Sequence, residues 1–451
     1  MTIRVYNTLT RKKSVLKPIK YSEIKVFVCG ITPHDYSHIG HAKTYVQFDF
    51  IVKYLRFKKY KVFYLQNVTD IDDRIIERAR SEKKAWLETS RYYEAEFLKN
   101  MKDLHVDSVD KYARATEFIT QIVGQVKTLL RKGYAYKTDD GYYFDLSKFP
   151  DYGKLSGRTV LEAEDSVSRI DESINKKNKS DFCLWKFSKK DEPSWDSDIG
   201  SGRPGWHIED TAITEHFFGP QYDVHGGARD LIFPHHEAEI AQMESASGKK
   251  PFVRYWLHTG FLNVKNTKMS KSLGNFITIS EILRKYDYKV LRYFYLSKHY
   301  RSPIDFSDEL LEQSKNSLER LNGFAINSRG KKSKLKKSFL LKTKKSFYNA
   351  LDDDFDTPKA FSILFEFIRK ANKIGPNNDC YLFLKEINQF LDILSFEQEK
   401  IPENIIIFAE KRLEARNKKD FIQADKIRKQ INSLGYLIED LNNDYKLKKK
   451  T

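Results

Sequence analysis

Ile24-Lys25-Val26-Phe27-Val28-Cys29, then Gly30-Ile31-Thr32-Pro33, then His38-Ile39-Gly40-His41, and beyond them Lys61-Val62-Phe63-Tyr64-Leu65-Gln66-Asn67-Val68: these segments decide the fold. Ile24 to Cys29 alternates and is β-branched, which reads as a buried strand. After a turn at Thr32-Pro33, Ile39, Ala42, Val46, Phe50 and Tyr54 recur at helical spacing as far as Phe57. Lys61 to Val68 is a second strand. Strand, helix and strand in so short a span make a βαβ unit, and this predicts a parallel sheet. Gly40 falls where the first strand passes into its helix, the sheet edge at which open α/β folds bind nucleotides.

Outward from this unit, about Asp72 to Lys132 reads as helical. Tyr134 to Ser201 is short, polar and turn-rich, with Gly141, Pro150, Gly153, Gly157 and Pro193, and reads as an insertion interrupting the sheet. The sheet is expected to resume near Trp206 and run through Gln221-Tyr222-Asp223-Val224-His225. Beyond Leu273-Gly274-Asn275 the pattern is mainly helical. Lys331 to Lys345 holds eight lysines and no acid; it reads as a loop ahead of a further helical bundle. Arg412 to Ile431 predicts two amphipathic helices, with Gly435 placed as a C-terminal cap and Tyr436-Leu437-Ile438 as a short strand. The predicted class is α/β: a Rossmann-type parallel-sheet domain with an insertion, a mainly α-helical bundle, and a small C-terminal α+β domain. The expected boundaries are 1–120 and 201–262 for the two halves of the sheet domain, 121–200 for the insertion, then 263–320, 321–399 and 400–451.

Composition narrows the class of function. No apolar run reaches the roughly 18 residues of a membrane span, and Met1 to Thr8 lacks the apolar region of a secretory signal. Three widely spaced cysteines, Cys29, Cys183 and Cys380, give no disulfide framework. A reducing, cytoplasmic setting is expected. The net charge of +18 suits a polyanionic partner, nucleic acid first, or a lysine-rich solvated surface.

Three motifs carry chemistry. In His38-Ile39-Gly40-His41 a glycine leaves room for a flat purine, and two imidazoles at a helix N-terminus offer donors to phosphate. Lys268-Met269-Ser270-Lys271-Ser272 is a small-residue loop with two cations able to close over a triphosphate, Lys271 neutralising the departing pyrophosphate. His235 and Glu239, spaced i and i+4, share one helix face behind Pro234 and make half of a metal site, to which Cys29 adds a sulfur. A nucleotide pair beside a metal set points to ATP-dependent activation of an amino acid whose side chain a metal grips; the thiol of cysteine fits best.

The chain resembles the cysteinyl-tRNA synthetases, a class I aminoacyl-tRNA synthetase family, from end to end. The resemblance is carried by Tyr6 to Lys12, Cys29 to Thr32, Asn67 to Asp73, Pro193 to Asp196, Asp223 to Leu231, Leu351 to Pro358 and Asp420 to Arg428. It implies ATP and L-cysteine as substrates and transfer to tRNA(Cys). It implies zinc on Cys29, Asp210, His235 and Glu239, with Mg²⁺ accompanying ATP. Catalytic roles fall on His38, His41, Lys268 and Lys271; nucleotide contacts on Gly40, His41, Asp230 and Lys271; the cysteine pocket on Gly30, Thr32, Thr69, Trp206 and His225. By the same resemblance 263–320 contacts the tRNA stem, 321–399 is a tRNA-contacting bundle and 400–451 reads the anticodon.

The family has cysteine where this chain has Asp210. Asp210 ligates, or a water ligates with Asp210 behind it, or no zinc binds. The tail, Glu439 to Tyr445, also departs from the family's ending, so Tyr445 either stacks on a base or packs. Two other readings are a cysteine ligase acting on a small amino-sugar, which would lack the C-terminal module, and a non-catalytic tRNA-binding paralogue. No membrane partner is expected, and a monomer suffices.

Overall fold

Two short antiparallel strands, β1 (Arg4–Asn7) and β2 (Lys12–Val15), precede the deciding unit. That unit is β3 (Glu23–Ile31), α1 (Ile39–Phe57) and β4 (Lys61–Val68), with β3 and β4 parallel. The computed structural model describes residues 2–158, 175–264, 267–269, 275–397, 401–441 and 444–449. α2 (Asp73–Glu82) and α3 (Trp86–Asp103) follow, then β5 (Lys111–Arg114) and α4 (Ile119–Arg131). β5 corrects the all-helical reading of 72–132: it is a parallel edge strand on β4. It has only four residues, two of them basic, so it leaves no alternating trace.

The insertion is a four-stranded antiparallel sheet in the order β6 (Ala135–Lys137), β7 (Gly141–Phe144), β8 (Phe182–Phe187) and β9 (Gly202–Pro204). The chain then makes a helix, Ile208–Phe218, before the main sheet resumes at β10 (Tyr222–Ala228). The sheet therefore returns later than Trp206. Helix His235–Ser247 leads to β11 (Val253–Thr259). The main sheet runs β11-β10-β3-β4-β5, every pair parallel. Strand order reverses between β3 and β10, the switch point at which such sheets hold ligands beyond their carboxyl ends. Phe27, Leu65, Tyr222, Val253 and Trp256 pack there against helix residues Ile122, Val126, Ile208 and Ala238 in one buried cluster.

β12 (Leu262–Val264), β13 (Thr267–Lys268) and β14 (Ile304–Phe306) form a small sheet, β12 parallel to β14. Four helices make the bundle: Asp308–Ser328, Lys337–Asp352, Thr357–Ile374 and Asn378–Leu391. The lysine run is thus only partly a loop. From Lys337 it is helical, because Leu340, Thr343 and Phe347 fall on one buried stripe while the lysines face outward.

The bundle is joined to the sheet domain by three consecutive aspartates. Asp352 accepts from Tyr54 Oη at 2.7 Å and Lys58 Nζ at 2.9 Å, both near the end of α1. Asp353 pairs with Lys13 of β2 at 3.0 Å. Asp354 accepts from the Tyr6 backbone N–H, Tyr300 Oη and Arg301. Asp354 and Phe355 both hold positive φ, 70° and 55°, an unfavourable pair that these contacts over-determine. Farther up α1, the buried Asp49 pairs with the buried Arg292 at 2.8 Å, and Arg292 also donates to the carbonyls of Leu104, His105 and Leu391.

Arg284–Tyr286 with Ser395–Thr451 makes a second compact unit. In it, helices Glu403–Asn417 and Phe421–Ser433 close over Ile405, Ala409, Ile427, Ile431 and Ile438. Gly435 follows the second helix at φ 84°. β15 (Tyr436–Leu441) pairs with β16 (Asp444–Lys449), so the tail is a hairpin rather than a single short strand. Tyr445 packs against the isoleucine cluster, and the buried Arg412 holds Asp440 through both guanidinium ends at 2.5 and 3.1 Å.

Candidate active site

A cavity of about 360 Å³ opens at the carboxyl ends of β3, β4, β10 and β11. Its wall includes Gly30, Thr32, Gly40, Thr69, Trp206 and Asp230, all expected from the sequence, together with His38 and His41. Lys268 has its backbone in β13, and Lys271 lies outside the described residues. Met269 reaches the cavity wall.

The histidine pair begins α1. His38 is the N-cap: its Nδ1 accepts from the Gly40 N–H at 3.1 Å and the His41 N–H at 3.3 Å. His41 Nδ1 in turn accepts from the His38 N–H at 3.3 Å, and the two rings stack at 3.7 Å. An accepting Nδ1 carries no proton, so in each neutral ring the N–H is at Nε2. Burial holds His38 down to about 4 and His41 well below its usual range, so both are neutral donors near pH 7. A Cβ on Gly40 would lie 2.9 Å from the His38 ring. The glycine therefore makes room for the capping imidazole.

The second constellation lies deeper. Cys29 Sγ, at the end of β3, is 3.9 Å from Glu239 Oε1. His235 Nε2 is 2.9 Å from Glu239 Oε1 and 3.1 Å from Asp210 Oδ2. These four residues are buried, and their donor atoms all lie within 4.8 Å of one another. Asp210 comes from helix Ile208–Phe218, His235 and Glu239 from one face of helix His235–Ser247. Burial, with Glu239 and Asp210 alongside, pushes the Cys29 thiol well up. Burial disfavours a charged His235, but the Glu239 and Asp210 carboxylates override it and raise the imidazole to about 9. Burial takes Glu239 up to about 8 against the pull of His235. Three acidic groups and imidazole nitrogen in one buried space suit a cation. Glu239 Oε2 is buried without a hydrogen bond, with His225 Nδ1 3.4 Å away, and a carboxylate oxygen so placed suits a metal ion.

His225 departs from expectation. It is fully buried behind Cys29, its Nε2 3.3 Å from Sγ, and it forms no part of the cavity wall. At position 225 the side chain stands against Tyr222 and Trp256. Trp206 does face the cavity, stacked on His235 at 4.4 Å, with Arg74 over the ring at 6.0 Å.

Asn67 and Arg74 are among the cavity residues that the sequence reading does not place in the site. Asn67 Oδ1 accepts from the Gly30 N–H at 2.6 Å while its Nδ2 donates to Asp210 Oδ1 at 2.5 Å, so one amide spans the neighbours of Cys29 and Asp210. Arg74 donates to Thr32 Oγ1 at 3.1 Å. Asn67 lies near the end of β4 and Arg74 just beyond Asp73, at the two ends of the Asn67 to Asp73 stretch, and that placement is the available signal. A Cβ on Gly30 would fall 1.7 Å from the Asn67 carbonyl oxygen, which is why β3 needs glycine there.

Residues 15–316 match the family model of the tRNA synthetases class I (C) catalytic domain, and residues 346–400 match the DALR domain. The chain is 43% identical over 466 residues to the cysteine–tRNA ligase of Thermococcus onnurineus, covering 98% of each chain. It is 44% identical over 447 residues to that of Thermoplasma volcanium, covering 97% of each. In fold it resembles the Mycobacterium tuberculosis methionyl-tRNA synthetase in complex with methionyl-adenylate, with a TM-score of 0.60 at 15% identity over 82% of this chain and 88% of that one. The leucyl-tRNA synthetase of Agrobacterium radiobacter K84 aligns with a TM-score of 0.63 at 9% identity, over 84% of each chain. The parallel sheet, its switch-point cavity and these full-length matches agree: the chain belongs to the cysteine–tRNA ligase family of class I aminoacyl-tRNA synthetases.

Proposed function

We propose that this chain activates L-cysteine with ATP, forming cysteinyl-adenylate and pyrophosphate, and then transfers cysteine to the 3′ end of tRNA(Cys). The observation that carries the reading is one cavity shared by a capped, neutral imidazole pair and a buried thiol–imidazole–carboxylate cluster. The substrate's own carboxylate attacks the α-phosphorus, so the chain needs no nucleophile; it positions and stabilises charge. His38 and His41 direct Nε2–H donors to the phosphate oxygens. Lys268 and Lys271 take up the charge of the pyrophosphate, Asp230 holds the nucleotide, and Mg²⁺ accompanies it.

Cys29, Asp210, His235 and Glu239 would hold zinc. Bound there, zinc supplies a thiol-selective Lewis acid, which separates cysteine from serine where an apolar pocket distinguishes near-isosteres only about 10²-fold. Asn67 orients Asp210, and Trp206 closes the side of the pocket against His235. The free cysteines suit a reducing cytoplasm, and one chain carries every residue named, so a monomer suffices. Among the described residues no helix is long and apolar enough to cross a membrane. The C-terminal unit argues against the amino-sugar ligase, and the intact histidine pair against a non-catalytic paralogue.

Cysteine-dependent exchange of pyrophosphate into ATP, followed by charging of total tRNA with each amino acid in turn, tests the reading. Exchange and charging with cysteine alone are expected. No exchange under any metal condition overturns it, and exchange without charging would favour the amino-sugar ligase.

A further inference from the structure

Lys43 stands on α1, two residues past His41, and is only 1% exposed. Its Nζ donates to the Gly260 carbonyl and, at 3.1 Å, to the Ser302 carbonyl. Among the described residues no carboxylate pairs with it, and burial holds the ammonium down to about 7. A buried cation that faces only neutral carbonyls is costly, and a methionine would fill the same space without that cost. The activation chemistry does not use Lys43, so its place in the fold has to account for it.

Gly260 and Ser302 lie where the main sheet gives way to the small one. β11 ends at Thr259 and β12 begins at Leu262, while Ser302 comes two residues ahead of β14. The two segments are drawn tightly together. The Gly260 N–H donates to the Tyr300 carbonyl and the Ile304 N–H to the Phe261 carbonyl, both at 2.9 Å. A Cβ on Gly260 would fall 2.4 Å from the Ser302 carbonyl group, so the backbones meet with no room for a side chain. Next to Lys43, Thr44 Oγ1 meets Thr259 Oγ1 at 2.9 Å. The chain after β13 is tied to the same end of α1: the Ile39 N–H donates to the Ile277 carbonyl at 3.1 Å, and the Ile279 N–H to the Ser37 carbonyl at 3.0 Å.

This junction supports one side of the cavity. Gly260, Phe261 and Leu262 are part of its wall, β13 is paired to β12 through Lys268 and Asn263, and Met269 reaches the cavity. The other side, His38 and His41, begins the helix from which Lys43 reaches across. Lys43 itself is not part of the wall. We propose that Lys43 is a positioning residue for adenylate formation: by holding the Gly260 and Ser302 carbonyls it fixes the small sheet, and the strand of Lys268 with it, against the histidine pair, so that both address one triphosphate. The inference rests on the reading that this chain activates cysteine with ATP.

Lys43→Met keeps the bulk of the stem and removes both hydrogen bonds. Since a misplacement of about 1 Å costs about 10²-fold in rate, kcat for cysteine-dependent pyrophosphate exchange should fall by about that factor. The KM for cysteine, whose side chain is gripped deeper in the cavity, should stay within about threefold. Lys43→Arg, whose guanidinium can donate to both carbonyls, should recover kcat to within about tenfold of the parent. A merely structural lysine would lower the urea midpoint of Lys43→Met and leave kcat within about threefold of the parent; that result overturns the proposal. So does a cysteine KM that rises in step with the loss of kcat, or a Lys43→Arg enzyme no faster than Lys43→Met. If Lys43→Met does not fold by circular dichroism, Lys43→Gln, with a shorter stem and two N–H donors, takes its place under the same expectation and the same refutation. A parent that shows no exchange removes the activation reading and this inference together, whereas an active parent matched by Lys43→Met removes the inference alone.

Discussion

Replacing His38 separates its two jobs. Its Nδ1 caps α1 through the N–H groups of Gly40 and His41, and its Nε2–H is left for phosphate. His38→Ala removes both. Loss of the cap lowers stability by about 1 kcal/mol, and loss of a donor aimed at developing charge lowers the activation rate about 10²–10³-fold, or roughly 3–4 kcal/mol. His38→Asn restores the cap, since asparagine is among the best N-cap residues, and restores no Nε2 donor. The two variants should therefore differ in urea midpoint and match in pyrophosphate exchange, with the loss in kcat rather than in the KM for ATP. If His38→Asn recovers exchange to within tenfold of the parent, the imidazole serves as a cap alone and the donor argument fails.

Acid should weaken the fold through the same residue. The folded chain holds His38 neutral down to about 4, against 6.5 unperturbed, so the unfolded chain binds the proton first as pH falls. Stability is full above pH 6.5 and declines by about 3 kcal/mol toward pH 4; urea midpoints across that range, compared with His38→Asn, show whether the decline is absent from the variant. Arg292→Met leaves Asp49 buried with Lys53, 3.0 Å away, as its remaining cationic partner among the described residues. A loss of about 3 kcal/mol in urea unfolding is expected, and a loss under about 1 kcal/mol would mean that Lys53 and solvent compensate. Asp210→Cys should preserve or raise cysteine-dependent exchange if position 210 contributes a ligand; a large loss would assign Asp210 some other task.

How legible the fold was depended on how one-sided each element is. β3 and α1 announced themselves through alternation and helical spacing. Helix Ile208–Phe218 does not: Ile208 to Thr214 is buried on every face, so polar and apolar residues show no stripe, and the sequence suggests that the sheet already resumes near Trp206. β5 was too short and β16 too charged to show a period, and each is a strand because of the neighbour it pairs with. In the site, His235, Glu239 and Cys29 are legible from spacing and residue type and Asp210 from the family resemblance, and the structure gathers all four. His225 stands behind Cys29 and not on the cavity wall, a depth that sequence does not show. Asn67 was overlooked because its role, linking Gly30 to Asp210, exists only once β3 and β4 are side by side.

The aspartate run at 352–354 constrains anyone who rebuilds this molecule. Three adjacent carboxylates address α1, β2 and the β1–Tyr300–Arg301 group in turn, so inserting or deleting a single residue there would misassign all three at once. Chimeras that graft other bundle helices onto this catalytic half should therefore cross over after Phe355, keeping Leu351 to Phe355 with the sheet domain's native partners; a crossover inside the run would join two well-formed halves that no longer fit.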